Sequence, residues 1–320
     1  MLLTPAVTTA AATMTGALLI NARAAARERA IEARHPPEGV LLDIDGVQVH
    51  AVVRGSGPDL VLLHGASGNC RDFTFSLMDR LAPRYRVIAL DRPGLGYTGR
   101  TDPAYASAFT DRAETPAEQA RLMKAAAARL GAGAPLVLGH SFGGTIALAW
   151  ALEGGPRALI LLGAPAMEWP GGLGPIYTIT GSAMGGAMLI PTLTATLSEA
   201  HIRKIVDRTF RPNQPPPGYD DHLGPLLTLR RASLRANGRQ VNNLKPQIIE
   251  MQKRYADLTL PIEWVHGVQD ETVPADIHAH PFKALVPQTN LTLLDGVGHM
   301  PHHDDEPTAI AAIDRAAARA

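Results

Sequence analysis

The segment that most narrows what this chain can fold into is residues 135–152, PLVLGHSFGGTIALAWAL. A short apolar run reads as a buried strand, and the apolar stretch after it reads as a helix. Only Gly139-His140-Ser141-Phe142-Gly143 is left to turn the chain between them. Side chains at the two glycine positions would collide with the strand and the helix, so the turn demands Gly-x-Ser-x-Gly. Ser141 then projects its hydroxyl into a cleft. The plainer reading is an ordinary strand-to-helix turn with serine as the helix N-cap.

The same alternation runs through much of the chain. LLDIDG and VQVHAVV read as a hairpin, and DLVLLHG, RVIALD, ALILLGA, PIEWVHG and NLTLLDG read as buried strands. Helices are expected over 116–130 and 306–318, the latter opened by Asp305 as N-cap. Near-continuous apolar runs separated by helices predict an α/β fold: a mostly parallel central sheet with helices on both faces. The rhythm stops over 165–257, where glycines, prolines and helical segments predict an inserted helical cap. The expected organisation is an N-terminal segment and linker over 1–39, a core in two parts over 40–164 and 258–320, and the cap between them. With 46% hydrophobic residues in 320, the chain can bury a core. Thirty basic residues balance thirty acidic ones, which removes the basic bias of a nucleic-acid binder. The single Cys70 excludes an intramolecular disulfide.

The first twenty residues carry no charged side chain, and Arg23, Arg27, Arg29 and Arg34 follow. Twenty helical residues span about 30 Å, enough for a bilayer core, but threonines, Pro5 and Gly16 dilute the apolar character. An uncleaved membrane or interfacial anchor, a cleaved signal and a soluble packing helix are the three readings. His35-Pro36-Pro37-Glu38-Gly39 is a linker, and the anchor reading makes everything before Pro36 an addition to the catalytic unit. It also makes the protein membrane-associated; otherwise it is cytoplasmic.

A serine hydroxyl becomes a good nucleophile only beside a base held by a carboxylate. Asp270 follows the strand PIEWVHG, with Glu271 as the alternative acid, and His299 follows the strand NLTLLDG. The chain order is Ser, Asp, His. With these pieces in place, and with the turns His64-Gly65 and Asp91-Arg92-Pro93-Gly94-Leu95-Gly96, the chain from about Val40 onward resembles the α/β-hydrolase fold family, except in its divergent cap. The resemblance implies a catalytic triad of Ser141, Asp270 and His299, and an oxyanion hole from the backbone N–H groups of Ala66 and Phe142, with Ser67 able to replace or supplement Ala66. It implies no cofactor. A serine at the elbow argues against the aspartate-dependent dehalogenases and epoxide hydrolases of that family.

The remaining candidates have plainer readings. His302 and His303 read as exposed loop residues, and the Pro301 break denies them the helical spacing of a metal pair. His64, His140, His266, His278 and His280 read as structural, Asp91 as a turn-former and Cys70 as a packed thiol. In the cap, Ile176, Tyr177, Met184, Met188, Leu189 and Ile190 are available to line a lipophilic pocket. The excess of Lys and Arg over 201–254 reads either as a solvated face or as a surface for an anionic membrane. The expected function is hydrolysis of a carboxylic, lipophilic small-molecule ester. A carbon–carbon-bond hydrolase, lactonase or perhydrolase on the same triad, and a non-catalytic accessory protein, stay open beside it.

Overall fold

The computed structural model describes residues 5–320, and side chains from residue 14 onward. Eight strands form one sheet: β1 (Val40–Ile44), β2 (Val47–Arg54), β3 (Asp59–Leu63), β4 (Arg86–Leu90), β5 (Leu136–His140), β6 (Ala158–Leu162), β7 (Ile262–Gly267) and β8 (Thr289–Leu294). Their spatial order is β1-β2-β4-β3-β5-β6-β7-β8, and only β2 runs against its neighbours. The β1–β2 hairpin closes through Asp45 and Gly46, both at positive φ (52° and 85°), as a tight two-residue hairpin turn requires.

Period-two alternation along the central strands builds two cores. Leu60, Leu62, Leu136, Leu138, Ile160 and Leu162 face Phe73, Leu77, Leu81 and the C-terminal helix residues Ile313 and Ala316. Val61, Leu63, Val137, Leu159 and Leu161 face Met123 and Ala127 of helix Pro116–Arg129, and Ile146 and Trp150 of helix Phe142–Leu152. Each fully buried aliphatic contributes about 1.5–3 kcal/mol, so this double-sided burial fixes the register that holds the strand ends level. The expected layers are therefore present. Helix Pro116–Arg129 opens with a reciprocal capping box between Thr115 and Glu118, and helix Glu306–Arg319 opens with Asp305 accepting from the Thr308 N–H.

Between β6 and β7 the described residues form only helices and loops. Helix Pro5–Arg34 lies against this region, which corrects the expectation that the segment before Pro36 is a mere addition. Arg23 and Arg27 donate to the carbonyls of Ala195 and Thr194, and Glu28 accepts from the Arg231 backbone and guanidinium. Arg230 pairs with Glu32, and Ile31 is buried among Ile202, Leu226, Leu227 and Leu229. No helix among the described residues is long and apolar enough to cross a membrane. The side chains of residues 1–13, the greater part of the uncharged run, lie outside those described.

Lys204, Arg208, Arg211, Lys253 and Arg254 are exposed, as a solvated face expects, but part of the basic excess of 201–254 is used within the fold. Arg203, Arg230 and Arg231 pair with carboxylates, while the fully buried Arg239 donates to the carbonyls of Ser107 and Ala108. These side chains clamp the molecule together.

Candidate functional site

Ser141 sits where β5 turns into its helix, at φ 51° and ψ −125°. A non-glycine residue there is strained and persists only when its surroundings dictate it. They do. A Cβ on Gly139 would fall 2.3 Å from the Gly143 carbonyl oxygen, and one on Gly143 would fall 2.0 Å from the Leu63 carbonyl oxygen. The Ser141 N–H donates to Leu162 O (2.8 Å) on the neighbouring strand, while its side chain caps nothing, which removes the N-cap reading.

The loops after β7 and β8 bring the other two predicted residues to the same place. His299 Nε2 lies 2.9 Å from Ser141 Oγ, and His299 Nδ1 lies 2.7 Å from Asp270 Oδ2. Asp270 Oδ1 accepts the N–H groups of Thr272 (2.9 Å) and Val273 (2.8 Å). Burial works to raise the Asp270 pKa, but the His299 charge and hydrogen bonds from His266 and His299 outweigh it and hold the carboxyl well below its ordinary range. Trp264 Nε1–H donates to His266 Nδ1 (3.0 Å), which leaves the His266 Nε2–H to face the Val273 carbonyl (2.7 Å) and Asp270. Glu271, the alternative acid, points into solvent.

The His64-Gly65 turn follows β3 and approaches the elbow closely: a Cβ on Gly65 would stand 3.1 Å from Ser141 Cβ. Among the described residues no protein group accepts the Ala66 N–H. The Phe142 N–H opens a helix, where no intrahelical acceptor exists. The Ser67 N–H is committed to Asn237 Oδ1 at 2.7 Å, so it is not free to serve beside them. Behind this loop lies Arg92, fully buried, its guanidinium 4.0 Å from the Phe142 ring centroid and bonded to Gly65 O, Gln119 Oε1 and Gln240 Oε1. Burial, partly offset by Glu114, lowers its pKa to about 9, so it stays a cation at neutral pH. The sequence reading saw Arg92 only as part of a turn.

A cavity of about 290 Å³ opens over Ser141, walled by Trp169, Leu173, Tyr177, Val241, Leu244, Val273 and Ile277. Among the described residues no carboxylate, ammonium or guanidinium lines it. Its one imidazole, His278, is held neutral at a pKa of about 4 by burial and by His266. Of the six cap residues expected here only Tyr177 faces the cavity. Ile176, Met184 and Met188 are exposed and Ile190 is buried in the cap. A larger groove of about 540 Å³ lies elsewhere, between the N-terminal helix and Arg100, Arg230, Arg231 and Arg235; the first three pair with Glu114, Glu32 and Glu28, and Arg235 donates to the Gly186 carbonyl.

His302 and His303 correct the loop reading. Residues Pro301–Asp304 form a helical turn that turns both rings inward onto Asp72, at 3.1 and 2.8 Å. His64 and His140 are hydrogen-bonded to backbone, Cys70 is buried, and Asp91 accepts from the N–H groups of Cys70 and Tyr97, forming its turn from the inside. Two groups, His50-Cys70-Asp91 and Asp72-His140-His302, have spacings a metal ion could bridge. Each already contains a direct histidine–carboxylate hydrogen bond.

The family model described as the alpha/beta hydrolase family matches residues 60–313. This chain belongs to the alpha/beta hydrolase family. Among its relatives, a pimeloyl-[acyl-carrier protein] methyl ester esterase of Xylella fastidiosa is 29% identical over 282 residues, covering 80% of this chain and 94% of that one. An uncharacterized protein of Mycobacterium tuberculosis is 26% identical over 289 residues, covering 88% and 81%. The solved esterase of Exiguobacterium antarcticum superposes with a TM-score of 0.67 at 20% identity, covering 87% of this alpha/beta hydrolase and 99% of that chain, a likeness of fold.

Proposed function

We propose that this alpha/beta hydrolase is a serine esterase that cleaves a neutral carboxylic ester with an apolar acyl or alkyl group. The observation that carries the reading is the continuous hydrogen-bonded line from Ser141 Oγ through His299 to Asp270, opening into a cavity with no charged wall. His299 Nε2 takes the Ser141 proton as the oxygen attacks the ester carbonyl, while Nδ1–H stays bonded to Asp270, which stabilises the imidazolium. The Ala66 and Phe142 N–H groups receive the oxyanion; losing one such donor costs about 3 kcal/mol of barrier. Collapse expels the alkoxide, which leaves with the proton from His299. Water then repeats the sequence on the acyl-enzyme. No step calls for a cofactor.

The cavity sits at the lower edge of the roughly 300–1,000 Å³ typical of small-molecule sites, which favours short or medium chains. The esterase relatives agree with this chemistry. The uncharged lining also favours an ester over an anionic substrate of carbon–carbon-bond cleavage. Fluorophosphonate labelling beside a ladder of p-nitrophenyl esters tests the proposal. The expected result is labelling that Ser141→Ala abolishes, with hydrolysis falling at least about a thousandfold. Labelling that persists in Ser141→Ala removes the assignment, and absence of turnover on every ester favours the non-catalytic reading. A membrane surface as partner stays a proposal that rests on the uncharged N-terminal run.

A further inference from the structure

The apolar cavity over Ser141 has polar atoms in its wall that the proposed chemistry does not use. His278 stands on helix Ala275–Leu285, lines the cavity and is 4% exposed. The Met167 N–H donates to its Nδ1 (3.2 Å), which leaves the proton of the neutral ring on Nε2. Among the described residues nothing accepts from that Nε2–H. Tyr177 comes to the same cavity from the cap helix Pro175–Gly181. Its hydroxyl has no protein partner either, and burial alone pushes its pKa up, so it meets the cavity as an uncharged O–H. Trp169, on the loop after β6, sets its ring edge-on to His278 with centroids 5.8 Å apart, and its buried Nε1–H also lacks an acceptor.

We propose that His278 and Tyr177 set the specificity of the site: the preferred ester carries, on its otherwise apolar chain, a second carbonyl or ether oxygen that accepts from these two groups. The inference rests on the esterase reading above and narrows its substrate class. Buried donors in a native protein have acceptors, and exceptions call for a reason. Here the reason is position, because both groups open onto the space a substrate fills. In the free enzyme water can meet them. A plain hydrocarbon chain expels that water and leaves the donors unpaired, whereas a chain with an oxygen at the right depth replaces it. A carboxylate in that place is disfavoured, since no cation lines the cavity and burying an unpaired charge is costly. The two donors also stand on different parts of the molecule, one on the core and one on the cap, so a chain that reaches both is held along its length as well as at its ester.

The test compares p-nitrophenyl hexanoate with analogues in which one methylene of the chain is replaced in turn by a ketone or an ether oxygen. Each kcat/KM is divided by the rate of that ester with hydroxide, which removes differences in intrinsic reactivity. In the wild type at least one analogue should exceed the plain ester by about tenfold or more. The readout in the variants is that ratio, so a general loss of activity cancels. His278→Leu and Tyr177→Phe should each bring the ratio down severalfold, and His278→Gln, which keeps an N–H donor, should retain more of it than His278→Leu. If His278→Leu does not fold, Tyr177→Phe on the cap decides alone. A wild-type ratio near one at every chain position overturns the inference and leaves the esterase reading intact. A preference that persists undiminished in folded Tyr177→Phe and His278→Leu overturns the assignment to these residues. Absence of both fluorophosphonate labelling and turnover on every ester sinks the esterase reading, and this inference with it.

Discussion

Replacing Ile31 by alanine tests whether the N-terminal helix is part of the folded unit. Ile31 is 4% exposed and packs with Ile202, Leu226, Leu227 and Leu229. Ile→Ala in a core costs about 2–5 kcal/mol. A small satellite cluster can partly collapse, so about 2–3 kcal/mol is expected here, or a melting temperature lower by roughly 4–8 °C. Glu28→Gln should add a smaller loss of about 1 kcal/mol, because three hydrogen bonds from Arg231 converge on that carboxylate. A fragment starting at Pro36 should lose all of these contacts together and melt lower than either variant, or aggregate. Denaturant titration and differential scanning fluorimetry, run beside an ester assay, give the numbers. If Ile31→Ala stays within about 0.5 kcal/mol of wild type and the fragment melts with the full chain, the helix is not held where it is described. The anchor reading would then regain its ground.

Three further outcomes are expected. Asp270→Asn should lower kcat by about 10⁴, while Glu271→Gln should leave it unchanged; steady-state kinetics of the pair decides which carboxylate serves His299. Gly143→Ala must push the Leu63 carbonyl aside and should abolish soluble expression or turnover, whereas Gly133→Ala, with open space around it, should be neutral in both. Stability should fall in acid. Asp72 has its pKa below the ordinary 3.8, so its contribution is complete above that value and is lost as pH falls through it toward the folded-state pKa. Urea titrations of wild type and Asp72→Asn between pH 5 and 3 should therefore converge, and parallel curves would contradict the shift.

The sheet could be read from the chain because each central strand is a near-continuous apolar run that neither water nor a second period competes for. Ser141, Asp270 and His299 were legible for a related reason: each follows a strand end, where an α/β sheet gathers its functional loops. His302 and His303 were not, since their burial depends on Asp72, some 230 residues away in the chain. The cavity wall was not legible either. Apolar residues on a short cap helix look alike until packing decides which side is inside, and Ile176 ended outside while Tyr177 beside it lines the cavity. The N-terminal run posed a sharper ambiguity, because an uncharged helix suits lipid and protein equally. The pairing of Glu28 and Glu32 with Arg231 and Arg230 holds the charged half of that helix on the cap.

Arg92 makes the cap and the site floor interdependent. The same guanidinium that bonds Gly65 O and lies on Phe142 also bonds Gln240 of cap helix Arg231–Asn242, and Gln240 in turn reaches Pro93 O and Glu114. A cap lifted or exchanged without its glutamine would leave a buried cation short of an acceptor, beside the Gly65 turn and the Phe142 ring. Swapping caps between relatives to change substrate range would thus alter reactivity as well as selectivity, unless position 240 travels with the cap or position 92 is changed to match.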